Sequence, residues 1–344
     1  MKHKVTIIIP CRNEEKFIGM VLDNVIAQDY PKELLEIFVV DGESEDRTKE
    51  IIQDYADKYP FIKYLPNPER VVPFALNKAI KMATGSVIVR MDAHAVYPED
   101  YVSELVKGLE KYDCDNTGGA WITKPANDSV KAIAIAEATS HPFGIGNAYY
   151  RLDIKNPRQV DTVPFGCYKR KVFDRIGLFD EELVRNQDDE FNARLIKNGG
   201  SIFLLPHVKI LYFARETFNK MAKMFYQYGL YKPLVNLKIG TPATLRQFVP
   251  PLFVLYSAIS ILAGIFHHPF FYAFFTGIIF YFLASIMVSI GIALNNKNSV
   301  ALFFHLIWTF PVIHFSYGFG YLSGIFRFLL FQRPIHHSKI EINR

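Results

Sequence analysis

Three clusters of ionisable side chains carry the chemistry this sequence has to offer. Asp92-Ala93-His94 directly follows the strand-like stretch Ser86-Val-Ile-Val-Arg-Met91. A carboxylate and an imidazole two residues apart at a strand end can hold a divalent cation against a diphosphate, the cation acting as a Lewis acid on the leaving group. The same triplet also suits a helix N-cap followed by an unrelated histidine. In the second cluster, residues 39–46, Asp41 can accept hydrogen bonds from a base or ribose, or close an Asx turn before the next helix. The third, Asn186-Gln187-Asp188-Asp189-Glu190, opens a helix with three adjacent carboxylates. Such acids suit the helix dipole. Adjacent carboxylates also perturb one another's pKa, which can leave one poised as a general base.

The elements around these clusters follow from hydrophobic period. The runs 5–9 and 37–40 predict strands covered on both faces, residues 86–91 predict a third strong strand, and 63–65 a possible short one. Helical patterns at 14–28, 46–58 and 74–83 alternate with them, which predicts right-handed βαβ units and an open α/β sheet. Ligands of such sheets sit beyond the carboxyl ends of the strands, where residues 11–14, 41–46 and 92–94 fall. Further helices are predicted at 101–111, 129–137, 171–176 and 188–197, with a turn at Gly118-Gly119. Residues 141–164 form a long segment of the kind that is functional or mobile. His207 reads as a surface or strand-end residue.

The apolar content is concentrated at one end. Between Gln247 and Asn296 there is no Asp, Glu, Lys or Arg across 50 residues, which excludes a wholly soluble protein. Apolar stretches at 248–266 and 270–294 are each long enough for a membrane span and turn at His267-His268-Pro269. A third, 299–330, is too long for one upright helix and too short for two. Its Pro311, Gly318, Gly320 and Gly324 suggest a break, and the reading is a re-entrant or interfacial stretch. His305 and His314 within it are functional candidates as intramembrane ionisable groups, with packing or interface placement the competing reading. Residues 217–236 gather Met221, Met224, Phe225, Tyr228 and Tyr231 on one face, which predicts an amphipathic helix in the membrane interface. The expected organisation is a catalytic domain at 1–215, an interfacial segment at 216–247, a membrane region at 248–331 and a basic tail at 332–344.

Charge separates the same regions. Residues 1–247 carry 34 basic and 33 acidic side chains, whereas residues 248–344 carry five basic ones against Glu341. The excess suits anionic lipid next to a membrane and argues against a nucleic-acid partner, which requires a basic stripe on the folded domain. Cys11, Cys114 and Cys167 form no CxxC and no evident pairs, so neither a disulfide framework nor a zinc site is indicated and a reducing, cytosolic setting fits. The short apolar run at 5–9 reads as a strand and not as a signal peptide. A dinucleotide-dependent oxidoreductase would share the βαβ start, but no G-x-G-x-x-G follows the first strand. A non-catalytic membrane protein would require all three clusters to be caps.

Taken in order, the motifs resemble the family 2 inverting glycosyltransferases and their nucleotide-sugar-binding GT-A fold. The likeness rests on Ile9-Pro10-Cys11-Arg12-Asn13-Glu14, the stretch 40–48 around Asp41, and Asn77-Lys78-Ala79-Ile80 with Ala83-Thr84-Gly85. It continues through Asp92-Ala93-His94, Phe165-Gly166, Gly177-Leu178-Phe179-Asp180 and Asp188-Asp189-Glu190-Phe191 with Arg194. Val163-Pro164-Phe165-Gly166, the run 185–190 and the apolar tail are most similar to the succinoglycan ExoA-type branch, which extends lipid-linked oligosaccharides, usually with glucose.

The resemblance implies roles residue by residue. Pro10, Arg12, Glu14, Asp41, Arg70 and Asp92 would bind the nucleotide sugar, Asp92 and His94 would hold Mn²⁺ or Mg²⁺, and Asp188 would be the base. Gly118, Gly119, Phe165, Gly166, Asp189, Gln227, Tyr231 and Lys232 would shape the donor and acceptor subsites. Three positions depart from the family. His94 replaces the usual Asp, and imidazole suits Mn²⁺ better than Mg²⁺. Gln187 stands where Glu is usual. Gln227-Tyr228-Gly229-Leu230-Tyr231-Lys232 takes the place of the Gln-x-x-Arg-Trp motif of processive synthases. The implied protein is a multi-pass membrane enzyme with a cytoplasmic catalytic domain, passing a hexose from a UDP-sugar to a lipid-linked acceptor. A processive polysaccharide synthase is the alternative.

Overall fold

The computed structural model describes residues 3–242, 244–296 and 299–331. They divide into two compact units, the first from residues up to 122 and from 149 to 212, the second from 123–148 and from 213 onward.

The first unit runs β1 (Val5–Cys11), α1 (Ile18–Ile26), β2 (Leu35–Asp41), α2 (Thr48–Lys58), β3 (Ile62–Pro66), α3 (Val72–Met82), β4 (Val87–Arg90), β5 (Ala95–Val96), α4 (Tyr101–Lys111) and β6 (Asn116–Lys124). After α5 (Val130–Ala138) and α6 (Pro142–Ile145), which belong to the second unit, it resumes with β7 (Arg158–Gln159), β8 (Cys167–Lys169), α7 (Lys171–Ile176), α8 (Gln187–Lys197) and β9 (Ile202–Phe213). The segment 141–164 thus contains short elements of its own.

The sheet order is β3-β2-β1-β4-β8-β6-β9-β5, with β7 beside β9. β1 lies parallel to both β2 and β4, and β2 parallel to β3, so four strands end at one edge. β8 runs antiparallel to β4, pairing Val89 with Cys167, so it begins where β4 ends. The side-chain period of two sends Val5, Ile7, Ile9, Val87 and Val89 to one face, against α1 and α4. Ile8, Phe38 and Ile88 go to the other, where Leu76 and Ile80 of α3 and Phe191 and Leu195 of α8 cover them. Burial on both faces is why these strands are mostly apolar and why their few polar residues, such as Thr6, Glu36 and Arg90, are buried too.

Gly118-Gly119 is not a turn: both residues lie inside β6. A Cβ on Gly118 would come 2.5 Å from Val163 Cβ, and one on Gly119 would come 2.6 Å from the Val208 carbonyl oxygen. The pair allows close packing rather than a reversal of the chain.

In the second unit α9 (Phe218–Ile239) precedes α10 (Val249–Phe266), α11 (Pro269–Leu294) and α12 (Ser299–Gly324), the last continuing as a π-helical turn at Ile325–Leu330. Three helical stretches, Leu245–Phe266, Pro269–Leu294 and Val300–Leu330, are long and apolar enough to cross a membrane. Their outer faces expose Leu262, Phe280, Met287 and Trp308, which water would not tolerate in such number.

Two expectations change here. The apolar face of α9 is covered within the protein, because Met221, Met224 and Phe225 pack with Leu302, Leu306 and Phe310 of α12 and with α5. Nor does the third stretch break at Pro311, which α12 carries inside a continuous helix. Its glycines serve close approach, as a Cβ on Gly318 would meet the Pro250 carbonyl oxygen at 2.8 Å, while Gly320 and Gly324 lie against the Tyr226 and Leu230 carbonyls of α9. Both histidines of α12 have polar partners. His314 bonds the Tyr281 hydroxyl through Nδ1 and the Phe143 carbonyl through Nε2, each at 2.8 Å, and His305 Nδ1 lies 2.8 Å from the Ala301 carbonyl oxygen. Lys297, Arg333, Lys339 and Arg344, and the basic tail at 332–344, lie outside the described residues.

Candidate active site

The loops at the shared carboxyl edge are held under backbone strain. Among the described residues six non-glycine positions have φ between 41° and 63°. Five of them, Asn13, Glu43, Arg70, Phe165 and Asn186, sit in the loops beyond β1, β2 and β3, just before β8 and just before α8. Such conformations each cost about 1–3 kcal/mol and persist only where surroundings impose them.

Beyond β1 and β2 the two loops are sewn together. The Asn13 N–H donates to Ser44 Oγ at 2.8 Å, and the Glu45 N–H to Asn13 Oδ1 at 2.9 Å. Gly42 lies between two arginine residues, since a Cβ there would meet Arg12 Cβ at 3.3 Å and Arg70 Cα at 3.5 Å. Arg70 donates through Nε and Nη2 to Glu43 Oε2 at 2.8 and 2.6 Å, and Arg12 Nη2 is 3.6 Å from Glu45 Oε1. The buried Nε–H of Arg12 has no acceptor among the described residues. Asp41 is buried, and its carboxylate accepts from Ser44 Oγ at 2.5 Å and the Tyr64 hydroxyl at 3.3 Å. Burial and that carboxylate push the Tyr64 hydroxyl up to about 12. Arg12, Asp41 and Arg70 are therefore brought together at this edge. Pro10 lies within β1 beside Val40, and Glu14 is buried below the loop, its N–H donating to Thr48 Oγ1 at 2.6 Å.

The second cluster centres on a residue that sequence reasoning passed over. Alternation along β4 puts Arg90 on the side of Ile88, the face covered by α8. Its side chain is 6% exposed. Arg90 Nε donates to Asp92 Oδ1 at 2.7 Å, Nη2 to Asp92 Oδ2 at 3.1 Å, and Nη1 to Asp188 Oδ1 at 2.7 Å. The guanidinium carbon lies 5.7 Å from the centre of the Phe165 ring, and the Arg90 N–H bonds the Gly166 carbonyl at 3.0 Å. Phe165 is pinned in turn by the Tyr101 hydroxyl on its carbonyl at 2.8 Å. Gly166 has no room for a side chain, because a Cβ would lie 2.6 Å from Asn116 Oδ1 and from the Tyr168 ring. The signal was present in the sequence: an arginine inside a Val-Ile-Val strand must be paired.

α8 is held from both sides. Asn192, one turn after Asp188, donates to Thr162 Oγ1 at 2.8 Å and the Val163 carbonyl at 3.1 Å, and accepts from Asn116 Nδ2 at 3.0 Å. Glu190 accepts from Arg194 at 2.6 and 2.9 Å, while Arg194 also donates to the Ile176 and Leu178 carbonyls. Asn77 bonds the Phe179 backbone through both ends of its amide, at 2.8 and 3.0 Å, which explains why the two motifs containing them occur together. The three adjacent acids are thus distinct: Glu190 is buried in a structural pair, and Asp188 faces Arg90. Burial pushes Asp188 up to about 6, with Arg90 opposing the rise and Asp92 and Asp189 adding to it.

Gly118 and Gly119 are explained by packing. Gln227, Tyr231 and Lys232 are buried on α9 of the second unit, Tyr231 beside Phe328. Among the described residues no group of three His, Cys, Asp or Glu side chains forms a closed metal site. Asp92 and His94 offer one carboxylate and one imidazole, a donor set that fits a cation taking its other ligands from a diphosphate and water.

A half-parallel sheet with strained polar loops and an acid–arginine–acid cluster at its carboxyl edge is a GT-A-type architecture. The mannosyltransferase PcManGT of Pyrobaculum calidifontis, solved with GDP-Man and Mn²⁺, shares this fold with a TM-score of 0.59 at 20% identity, over 94% of this chain and 88% of that one. Residues 6–177, half of the chain, match the family described as Glycosyl transferase family 2. The chain belongs to that family. It is 29% identical over 330 residues to the dolichyl N-acetyl-alpha-D-glucosaminyl phosphate 3-beta-D-2,3-diacetamido-2,3-dideoxy-beta-D-glucuronosyltransferase of Methanococcus voltae, covering 94% of this chain and 97% of that protein. Succinoglycan biosynthesis protein ExoA of Rhizobium meliloti is 28% identical over 246 residues, 71% of this chain and 73% of its own.

Proposed function

We propose that this family 2 enzyme is a membrane-anchored inverting transferase that passes a hexose from a UDP-sugar to a lipid-linked acceptor, with Asp188 as general base. The observation carrying the reading is the Asp188 carboxylate, pushed up to about 6 at the carboxyl edge and held 2.7 Å from Arg90. A base near neutrality is well matched to removing a hydroxyl proton. Asp188 takes that proton as the acceptor oxygen bonds to the sugar C1 from the face opposite the diphosphate. The bond from C1 to the phosphate oxygen breaks, and UDP leaves. Inversion converts an α-linked donor into a β-linked product. Arg12 and Arg70 would face the nucleotide, Asp41 the base, and Asp92 with His94 would hold a divalent cation. That cation, when bound, supplies positive charge against the departing diphosphate.

The acceptor assignment is supported by three helices long and apolar enough to cross a membrane and by the dolichyl-linked acceptor in the name of the Methanococcus voltae relative. UDP-sugars are made in the cytosol, so the catalytic domain faces that side. Glucose is the first donor to test. The near full-length match to the Methanococcus voltae protein favours a second reading, a diacetamido-uronic sugar. The test is a screen of UDP-glucose, UDP-N-acetylglucosamine and UDP-uronic donors with membrane lipid extract, reading UDP release and product mass. One added hexose per lipid is expected, long products would identify a processive synthase, and no lipid-dependent UDP release with any donor would refute the proposal.

A further inference from the structure

We infer that Arg90 is a positioning residue, one that sets the base Asp188 and the donor-side Asp92 at a constant separation and aims one oxygen of Asp188 at the acceptor. The inference rests on the reading of Asp188 as base. Arg90 makes contacts on two fronts with a single planar group: Nε and Nη2 grip both oxygens of Asp92 at 2.7 and 3.1 Å, and Nη1 takes Asp188 Oδ1 at 2.7 Å. A guanidinium holds its five N–H groups in a rigid fork, so these bonds fix one carboxylate relative to the other. The two come from parts of the chain nearly a hundred residues apart, the loop after β4 and the first turn of α8.

The fork is itself immobilised. Its backbone N–H is tied to the Gly166 carbonyl at 3.0 Å, its face lies over Phe165, and 6% exposure keeps water from competing for its bonds. Arg90 engages Oδ1, which leaves Asp188 Oδ2 as the oxygen to receive a proton. A lysine would restore the charge as a single point and lose the fork. Displacement of a reacting group by about 1 Å can cost on the order of 10²-fold in rate.

The test is a double-mutant cycle on the full-length protein in lipid, comparing wild type, R90K, D188N and R90K/D188N for kcat, for KM of the donor and for UDP affinity. R90K is expected to lower kcat by about 10²-fold, with UDP affinity changed less than about fivefold. In the D188N background the same substitution should leave the residual rate within about threefold, because there is no base left to aim. A general structural role would lower both backgrounds by the same factor, and that result overturns the inference. If R90K does not fold, the cycle is repeated with R90Q, whose amide keeps planarity and two donors; failure of both to fold assigns Arg90 to stability and also overturns it. Wild-type transfer with R90K within about threefold of it refutes this inference alone, whereas absence of transfer by the wild type refutes the functional reading as well.

Discussion

Ionisation of Asp188 should govern both the acid limb of the rate and part of the protein's stability. Its carboxyl lies at about 6 against an ordinary 3.8, mainly through burial. At about 1.4 kcal/mol per pH unit, the folded protein disfavours this charge by about 3 kcal/mol. Because the folded value is raised, the folded form keeps a proton that the unfolded chain has released between pH 4 and 6. Stability contributed by this group is therefore greatest below about pH 4 and falls by up to about 3 kcal/mol as pH rises through 6. The rate moves the opposite way, since only the carboxylate accepts a proton: kcat should fall about tenfold per pH unit below 6. Asp188→Asn should lose about 10²–10⁴ in kcat, keep UDP affinity, and show none of the pH-dependent stability loss. Steady-state rates and urea melts from pH 4 to 8, on wild type and variant, test this together. An acid limb centred near 4, or a stability difference between the two proteins that does not change with pH, would refute the assigned environment. Near-normal turnover by the variant would transfer the role to Asp189, because Glu190 is already engaged by Arg194 at 2.6 and 2.9 Å.

Three further outcomes are expected. Activity should disappear in excess EDTA and return more fully with Mn²⁺ than Mg²⁺, and His94→Asp should move that preference towards Mg²⁺; full activity in EDTA rules the cation out. Gly118→Ala, whose new Cβ would lie 2.5 Å from Val163 Cβ, should destabilise the protein by about 1–3 kcal/mol in urea melts; an unchanged midpoint would show that the strand can relax. Finally, the turn at His267-His268-Pro269 carries no Lys or Arg, so His268→Cys should react with an impermeant thiol reagent outside sealed cells. The native cysteines Cys11, Cys114 and Cys167 are buried and give little background, and labelling only after permeabilisation would reverse the orientation.

What the sequence decided alone was the class of local structure and the edge where chemistry gathers. Runs such as those ending at Pro10, Asp41 and Asp92 are legible because a strand covered on both faces admits almost no polar side chain. Ligand loops follow from the direction of parallel strands, and the apolar helices of the tail follow from length and the missing charges. Pairing was not legible, because it depends on which distant residues meet. Gly118-Gly119 looks like a turn until Val163 and the Val208 carbonyl are seen to require the space. The glycines of α12 look like breaks until the carbonyls of α9 and α10 are seen against them. The face of α9 looks ready for lipid until α12 and α5 cover it, and nothing local shows that residues 123–148 join the second unit. Three adjacent acids at 188–190 are equivalent by composition. Only the fold distinguishes them, by bringing Arg194 to Glu190 from within the helix and Arg90 to Asp188 from a strand nearly a hundred residues earlier. A carboxylate's chemistry is set by burial and by the charge beside it, and both are properties of tertiary structure.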